Sequence, residues 1–478
     1  MTATSTPSDA TARLRATVEG LLPGVRADLE DLVRIPSVSA AAFDQSTLVT
    51  SAEKVAALLR EAGMPEVEIL RASRPDGSDG APAVVARRPA PQGAPTVLLY
   101  AHHDVQPPGD PADWTSPAFE PTERDGRLYG RGTADDKAGV MAHIAALRAL
   151  LPAWGPADGV GVVVFIEGEE ESGSPSFADF LHRYRDRLQA DVIVVADSDN
   201  WTVDTPSLTT SLRGLVEADV EVRTLAHAVH SGMYGGVAPD AMMAMTTLLA
   251  RLWDEAGDLA VPDLVSGQAA DLEYPESEVR RDSGVLDGVQ LIGSESILSR
   301  MWTRPSITVT GIDAPSVATA SNTLQPVVRA KLSMRLAPGQ DPEAAYQALR
   351  SHLLATAPFG AQVEVTLKEL GKPFEGDVEG AVYDRARWAL SEAWDGAEVV
   401  HQGIGGSIPF IADLTSVFPD ATVLVTGVED PDTRAHGYDE SLNLRVFERA
   451  CLAETLLLSA LAAEDVEGAG GEEVRQDR

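Results

Sequence analysis

Three short runs of almost uninterrupted apolar residues are the feature that most restricts how this sequence can fold. They cover residues 96–101 (Thr-Val-Leu-Leu-Tyr-Ala), 160–166 (Val-Gly-Val-Val-Val-Phe-Ile) and 191–196 (Asp-Val-Ile-Val-Val-Ala), and helical patterns separate them. Strands that are apolar along nearly their whole length are typical of a mainly parallel sheet that is covered on both faces. We therefore expect residues 1–213 to form the first part of an α/β layer domain.

The pattern changes after residue 213, where strand and helix segments follow one another in the order β-α-β-β-α-β. That order is typical of a ferredoxin-like unit, so we expect residues 214–373 to form an inserted α+β domain. Its segment 255–304, rich in Asp, Glu, Gly and Ser, is expected to form loops and short helices on the surface. The α/β domain resumes over residues 374–463, and residues 464–478 are expected to be a disordered acidic tail.

The charge of the chain disfavours partners that carry phosphate groups. Among 478 residues, 38 Lys and Arg stand against 73 Asp and Glu, a net charge of −35. Such a surface repels nucleic acid and anionic lipid and attracts cations. The single cysteine, Cys451, excludes an internal disulfide and a cysteine-based zinc site. With no signal-peptide core in the first ten residues and no membrane-length apolar stretch, we expect a cytoplasmic protein that binds neither nucleic acid nor membrane.

Histidines and carboxylates gather just beyond the predicted strands, at the edge where open α/β sheets place their ligands. These segments are His102-His103-Asp104, Glu167–Ser172, Asp197–Asn200 and Glu429–His436, together with the loop Arg131–Lys137 that opens a helix. Carboxylates packed together repel one another unless cations intervene. Imidazole and carboxylate without thiolate suit Zn²⁺, Mn²⁺ or Co²⁺. A carboxylate shared by two such ions is typical of hydrolases that polarise a carbonyl and activate water.

Five motifs in this order resemble the two-metal metallopeptidase family of carnosinase-like dipeptidases, glutamate carboxypeptidase, acetylornithine deacetylase and succinyl-diaminopimelate desuccinylase. They are Tyr100-Ala-His-His-Asp-Val-Gln-Pro, Leu128-Tyr-Gly-Arg-Gly-Thr-Ala-Asp-Asp-Lys, Glu167-Gly-Glu-Glu-Glu-Ser-Gly-Ser, His230-Ser-Gly and Ala435-His436. The resemblance covers nearly the whole chain. The sequences Asp-Val-Gln-Pro and Asp-Asp-Lys within these motifs, together with the long insert, resemble the dipeptidase branch of the family. This resemblance implies metal-dependent hydrolysis of dipeptides or short peptides.

The resemblance also implies a role for each residue of the metal site. The implied ligands are His102 and Asp197 for one ion, Glu171 and His436 for the other, and Asp135 as the bridge between them. Asp104 would fix the tautomer of the His102 imidazole, and Glu170 would be the general base and acid. The two ions per subunit are expected to be zinc, with manganese or cobalt as alternatives. In the family the peptide bond from Asp135 to Asp136 is typically cis.

A second set of residues is implied to contact the substrate from the inserted domain, which would serve as lid and dimerisation domain. His230 would steady the oxyanion in the partner subunit's site, which requires a homodimer. Thr323 matches another lid contact, and Arg335 matches the arginine that grips the substrate's terminal carboxylate. Gly406 and Ser407 match a glycine-rich loop that lies against the substrate.

Some points stay open at the level of sequence. Asp199 competes with Asp197 as the metal ligand, although Asp197 directly follows its strand, and the base and ligand could be Glu169 and Glu170. Many relatives have glutamate where Ile404 stands here. The alternative activity is that of an N-acyl amino-acid amidohydrolase with the same metal site. A catalytically silent metal-bound scaffold is disfavoured, because it would need neither an Asp104 nor a Glu170 equivalent.

Overall fold

The computed structural model describes residues 9–269, 272–406 and 409–462, so the predicted acidic tail lies outside the described residues. Its contacts divide the chain into two compact units. The first comprises the residues up to Thr210, Gly376–Gln402 and the residues from Asp413 onward, and the second comprises Ser211–Glu375 and Gly403–Ala412.

The helices follow the apolar periodicity of the sequence and its capping signals. At the Asp341-Pro342 pair, the Asp341 carboxylate accepts a hydrogen bond from the N–H of Ala344, 2.8 Å away, and Pro342 takes the first helical position. No described helix is both long and apolar enough to cross a membrane. The described helices are α1 (Asp9–Val33), α2 (Ser46–Glu61), α3 (Lys137–Leu150), α4 (Phe177–Arg183), α5 (Arg185–Leu188), α6 (Ser231–Tyr234), α7 (Ala241–Ala250), α8 (Glu276–Ser283), α9 (Pro342–Ala355), α10 (Ala381–Ala393), α11 (Pro409–Val417) and α12 (Leu444–Ala462).

The strands fall where the apolar runs predicted them, with several short strands in addition. The described strands are β1 (Glu66–Leu70), β2 (Ala83–Arg88), β3 (Thr96–His102), β4 (Thr122–Arg124), β5 (Arg127–Tyr129), β6 (Gly161–Glu167), β7 (Val192–Val195), β8 (Ser207–Leu212), β9 (Gly214–Arg223), β10 (Val229–His230), β11 (Ser306–Asp313), β12 (Thr323–Leu324), β13 (Val327–Leu336), β14 (Gln362–Gly371), β15 (Phe374–Glu375), β16 (Val400–Ile404), β17 (Thr422–Val425) and β18 (Ser441–Asn443).

The large sheet runs in the order β1-β2-β6-β3-β7-β17-β8. Its centre is parallel, because β3 pairs with β6 and β7, and β7 pairs with β17, in parallel register. Its outer pairs are antiparallel. Strands β6 and β7 are buried along their whole length, and β3 is buried except at its first residue. Burial on both faces explains the continuous apolar runs, and the predicted α/β fold with a mainly parallel sheet is confirmed.

The second unit contains an antiparallel sheet in the order β11-β13-β9-β14. Helices α7 and α9 follow its first and third strands in the chain and contribute buried residues to the same core. This is the predicted ferredoxin-like arrangement. The expectation that residues 255–304 stay on the surface is wrong for Leu298 and Trp302, which are buried at 2% and 7% exposure.

Candidate metal centre

Parallel strands bring the predicted site residues to one edge of the large sheet. Strands β6, β3, β7 and β17 are parallel neighbours, so their carboxyl ends meet at the same edge. His102 is the last residue of β3, and Asp197 comes two residues after β7. Glu170 and Glu171 lie in a turn of 3₁₀ helix after β6. His436 lies in the loop after β17 and has a positive φ of 61°.

The Asp135 carboxylate lies between two imidazoles. Its Oδ1 is 3.1 Å from Nε2 of His102, and its Oδ2 is 3.0 Å from Nε2 of His436. The same nitrogen of His436 is 3.1 Å from Oε2 of Glu171. The peptide bond from Asp135 to Asp136 is cis, as the resemblance implied. One carboxylate thus presents a separate oxygen to each of two imidazole nitrogens, which is the arrangement of a ligand shared by two ions.

Asp104 connects the His102 imidazole to the glutamate-rich turn. Its Oδ1 is 3.4 Å from Nδ1 of His102, which also lies 3.1 Å from the Asp104 main-chain carbonyl oxygen. The Asp104 carboxylate also accepts hydrogen bonds from the backbone N–H groups of Glu170 and Glu171, at 3.2 and 3.1 Å. An acceptor at Nδ1 keeps that nitrogen protonated and leaves Nε2 free as a ligand atom. Asp104 is fully buried, so these contacts are shielded from water.

The three consecutive glutamates have different surroundings. Glu169 is held by Arg74 at 2.7 Å and by the backbone N–H groups of Ala81 and Ser176, both at 2.9 Å. Its carboxylate is therefore fully used as a link between loops. Glu171 contacts His436 and accepts a hydrogen bond from the side chain of Gln106, 2.7 Å away, whose role sequence reasoning missed.

The Glu170 carboxylate makes no hydrogen bond to the described residues. It is the backbone N–H of Glu170 that donates to Asp104. The three glutamates therefore differ in their contacts. Glu169 links two loops, Glu171 contacts His436, and the carboxylate of Glu170 between them makes no hydrogen bond to the described residues.

Asp197 and Asp199, the two alternative metal ligands after β7, also differ in their contacts. Oδ1 of Asp197 lies 4.0 Å from Nε2 of His102, whereas Oδ1 of Asp199 accepts a hydrogen bond from the Gln402 side chain at 2.7 Å. Asp136 places a ligand atom within 4.8 Å of those of His102 and Asp197. Its side chain does not cap α3, the role such a residue ordinarily has before a helix.

Glu440 is a site residue that sequence reasoning did not find. Its Oε1 accepts hydrogen bonds from the backbone N–H groups of Gly132, Ala134 and Asp135, at 3.0, 3.2 and 3.3 Å. Its Oε2 accepts one from the Arg131 guanidinium at 2.6 Å. The fully buried Glu440 side chain therefore holds the loop that ends in Asp135. Its position four residues after His436 was the one signal in the sequence.

Protonation in this cluster is governed by burial and by crowding of negative charge. Burial and repulsion by neighbouring carboxylates raise the pKa of Glu171 to about 7 and that of Asp197 to about 6. Burial also raises the pKa of Glu170. Contacts with Asp135 and Glu171 raise the pKa of His436 to about 11. Burial opposes protonation of His102, but its contacts with Asp104 and Asp135 outweigh burial and raise its pKa.

These groups fit divalent cations. Nε2 of His102 is buried and makes no hydrogen bond within the described residues, although Asp135 lies close to it. A buried ring nitrogen that makes no hydrogen bond and faces a carboxylate is a suitable metal ligand. The ligand atoms of His102, Asp136 and Asp197 form one compact group, and those of Asp135, Glu171 and His436 form another. Imidazole and carboxylate oxygen together suit zinc and related ions.

The predicted substrate contacts lie in the second unit. His230 is exposed and stands directly opposite Thr323 in the antiparallel pair of β10 and β12. The structure therefore brings these two residues together, although 93 positions of sequence separate them. Arg335 is half-buried on β13, and Gly406 follows the end of β16. Ser407 lies outside the described residues.

Comparisons with known proteins agree with one another. The family model described as Peptidase family M20/M25/M40 matches residues 98–460. A cysteinylglycine-S-conjugate dipeptidase of Corynebacterium striatum is 36% identical over 413 residues, which cover 85% of this chain and 89% of that protein. A Beta-Ala-His dipeptidase of Rattus norvegicus is 28% identical and is matched over 80% of both chains. The solved structure of the di-peptidase Dug1p from Saccharomyces cerevisiae is 22% identical in sequence and has a TM-score of 0.74. The match covers 95% of this chain and 99% of that chain, and this similarity supports the fold.

Proposed function

Because the chain belongs to peptidase family M20/M25/M40, we propose that it is a metal-dependent dipeptidase that hydrolyses the peptide bond of dipeptides or short peptides. The observation that carries the proposal is the Asp135 carboxylate, with one oxygen near His102 and the other near His436. The two relatives compared above by sequence are both named dipeptidases. The alternative of an N-acyl amino-acid amidohydrolase is not favoured by these relatives.

In this proposal the residues of the first unit hold two divalent ions. His102 and Asp197 hold one, Glu171 and His436 hold the other, and Asp135 is shared. When bound, the ions polarise the scissile carbonyl and lower the pKa of water. Zinc is the proposed metal, because imidazole and carboxylate donors without thiolate are common in catalytic zinc sites, and manganese or cobalt would accept the same donors.

Glu170 is the proposed general base and acid. Its carboxylate makes no hydrogen bond to the described residues, so it is available to accept the proton of the attacking water and deliver it to the leaving amine. Asp104 supports this step in two ways. It holds the backbone on both sides of the Glu170 side chain, and it keeps the His102 imidazole in the tautomer whose Nε2 is a ligand.

The second unit supplies the proposed substrate contacts. Arg335 binds the terminal carboxylate of the dipeptide, and Gly406 lies against the substrate. His230 and Thr323, opposite one another on their strand pair, stabilise the oxyanion of the tetrahedral intermediate. We propose that the enzyme is a homodimer in which His230 serves the active site of the partner subunit.

Complementation between inactive variants tests the homodimer. His230→Ala and Glu170→Ala chains are each expected to be nearly inactive, whereas a mixture with exchanged subunits should recover about a quarter of wild-type activity. The reason is that half of the dimers are then mixed, and each mixed dimer has one intact site. Each variant incubated alone is the control. Exchange without any recovery would place His230 in the site of its own chain.

The cytoplasm is the proposed location, since the single cysteine, Cys451, is compatible with a reducing compartment. Fractionation of the native host, with the activity assayed in each fraction, tests this location.

The activity is tested by comparing free dipeptides with their N-acetyl and N-succinyl counterparts, using protein loaded with Zn²⁺ or Mn²⁺. We expect cleavage of the peptides with a free amine, and loss of cleavage when a chelator removes the metal. The same peptides incubated with metal alone are the control. Cleavage of only the blocked compounds would keep the metal site but identify an N-acyl amino-acid amidohydrolase.

A further inference from the structure

Arg213 is a half-buried cation without an acidic partner among the described residues. It stands between β8 and β9, and its guanidinium donates to neutral groups in the second unit. These hydrogen bonds run from Nε to the Gly405 carbonyl oxygen at 2.9 Å and from Nη1 to Oγ of Ser306 at 3.1 Å. Nη1 also donates, over longer distances of 3.4 and 3.5 Å, to the main-chain carbonyl oxygens of Arg304 and Arg300. By contrast, the buried guanidinium of Arg131 is paired with Glu440. A cation withdrawn from water without a counter-charge is unfavourable, and an incoming anion would relieve that cost.

Arg213 lies beside Arg335. Its Nη1 bonds to Ser306, and Ser306 stands directly opposite Arg335 in the register of β11 and β13. Arg335 also stands opposite Leu215, two residues after Arg213 in the chain. Burial and the charge of Arg335 lower the pKa of Arg213 to about 10, which agrees with two guanidinium groups close together. Two neighbouring cations favour a bound carboxylate more than one does.

The second amino group of Arg213 is directed toward the glycine-rich loop. Nη2 makes no hydrogen bond to the described residues, and a Cβ added at Gly405 would lie only 3.0 Å from it. The absence of a side chain at Gly405 therefore keeps the approach to this nitrogen open. Nε and Nη1 fix the plane of the guanidinium, so Nη2 is held in place as a donor.

We propose that Arg213 is a second determinant of specificity for the free C-terminal carboxylate of the substrate, acting beside Arg335. This inference rests on the proposed dipeptidase function and narrows its substrates to peptides whose carboxyl terminus is not blocked. The Nη2 group of Arg213 donates to one carboxylate oxygen, and the adjacent charge of Arg335 strengthens that interaction.

The test compares a free dipeptide with its C-terminal amide, as substrate or competing inhibitor of the metal-loaded enzyme. Arg213→Gln should raise KM for the free dipeptide about 10–100-fold, as expected for a lost hydrogen bond to a charged group, and change kcat less than about threefold. KM or Ki for the amide should not change. Arg213→Lys, which keeps the charge, should give a smaller rise. Arg223→Gln, which alters an exposed arginine of β9 paired with Glu221, is the matched control and should match the wild type.

Equal losses on the free dipeptide and on its amide would overturn the proposal, since they would indicate that Arg213 only supports the fold. An unchanged KM for the free dipeptide would also overturn it. If the wild-type enzyme cleaves neither compound, the proposed function fails. Calorimetric binding of the free dipeptide and of its amide to wild type and to Arg213→Lys then still decides the role of Arg213.

Discussion

Replacement of Glu170 by glutamine is expected to lower kcat by about 10²–10⁴-fold while both metal ions stay bound. The amide keeps the size of the side chain but cannot accept the proton of the attacking water. Among the described residues the Glu170 carboxylate makes no hydrogen bond, so its replacement breaks no structural contact. The measurements are steady-state kinetics on a free dipeptide and elemental analysis of metal per chain.

The neighbouring glutamates supply controls for this variant within the same turn. Glu171→Gln should reduce the metal content, since that carboxylate contacts His436. Glu169→Gln should instead lower stability, because its carboxylate bonds to Arg74 and to two backbone N–H groups. Loss of metal from the Glu170→Gln protein would show that the roles of base and ligand have been exchanged.

Replacement of Glu440 by leucine is expected to lower the free energy of unfolding of the metal-free protein by about 3–5 kcal/mol. The substitution leaves the Arg131 guanidinium buried without a counter-charge and frees the backbone N–H groups that Glu440 holds. Because the N–H of Asp135 is among them, the affinity for metal should also fall. Denaturant unfolding and metal titration measure the two effects separately.

Two further variants identify the cause of these effects. Glu440→Gln keeps one oxygen for the backbone N–H groups but places an amide against Arg131, so a smaller loss is expected. Glu448→Gln alters an exposed glutamate of α12 and should leave both quantities unchanged. A Glu440→Leu protein with wild-type stability would contradict the assignment of Glu440 as the residue that holds this loop.

The central strands of the large sheet could be predicted from the sequence because buried strands consist almost entirely of apolar residues. Strands β3, β6 and β7 are buried on both faces, so their residues are almost all apolar. The strands β4, β5 and β18 are only three residues long and pair with one another, and such short segments have no periodicity to detect. The helical pattern between β6 and β7 forms two short helices, α4 and α5, that are divided at Tyr184, and no Pro or Gly in the sequence indicates this break.

In the candidate site, residues at or just beyond the end of a buried strand could be predicted from the sequence, and residues defined by distant partners could not. His102 and Asp197 are of the first kind. Glu440 is of the second kind, since its partner Arg131 is 309 positions away. Arg213 likewise looks like an ordinary turn residue until the strands place Ser306 and Gly405 around it. The sequence of Glu169, Glu170 and Glu171 does not indicate which of the three carboxylates contacts Arg74.

The insertion of the second unit affects the order in which the enzyme is completed during synthesis. Four of the proposed metal ligands precede the insert, and the last, His436, follows it. The ribosome adds roughly 240 residues between Asp197 and His436, which takes on the order of 10–50 s at about 5–20 residues per second. During that interval the nascent chain carries an incomplete ligand set, so the emerging protein gains its peptidase activity only after the insert and His436 have been made.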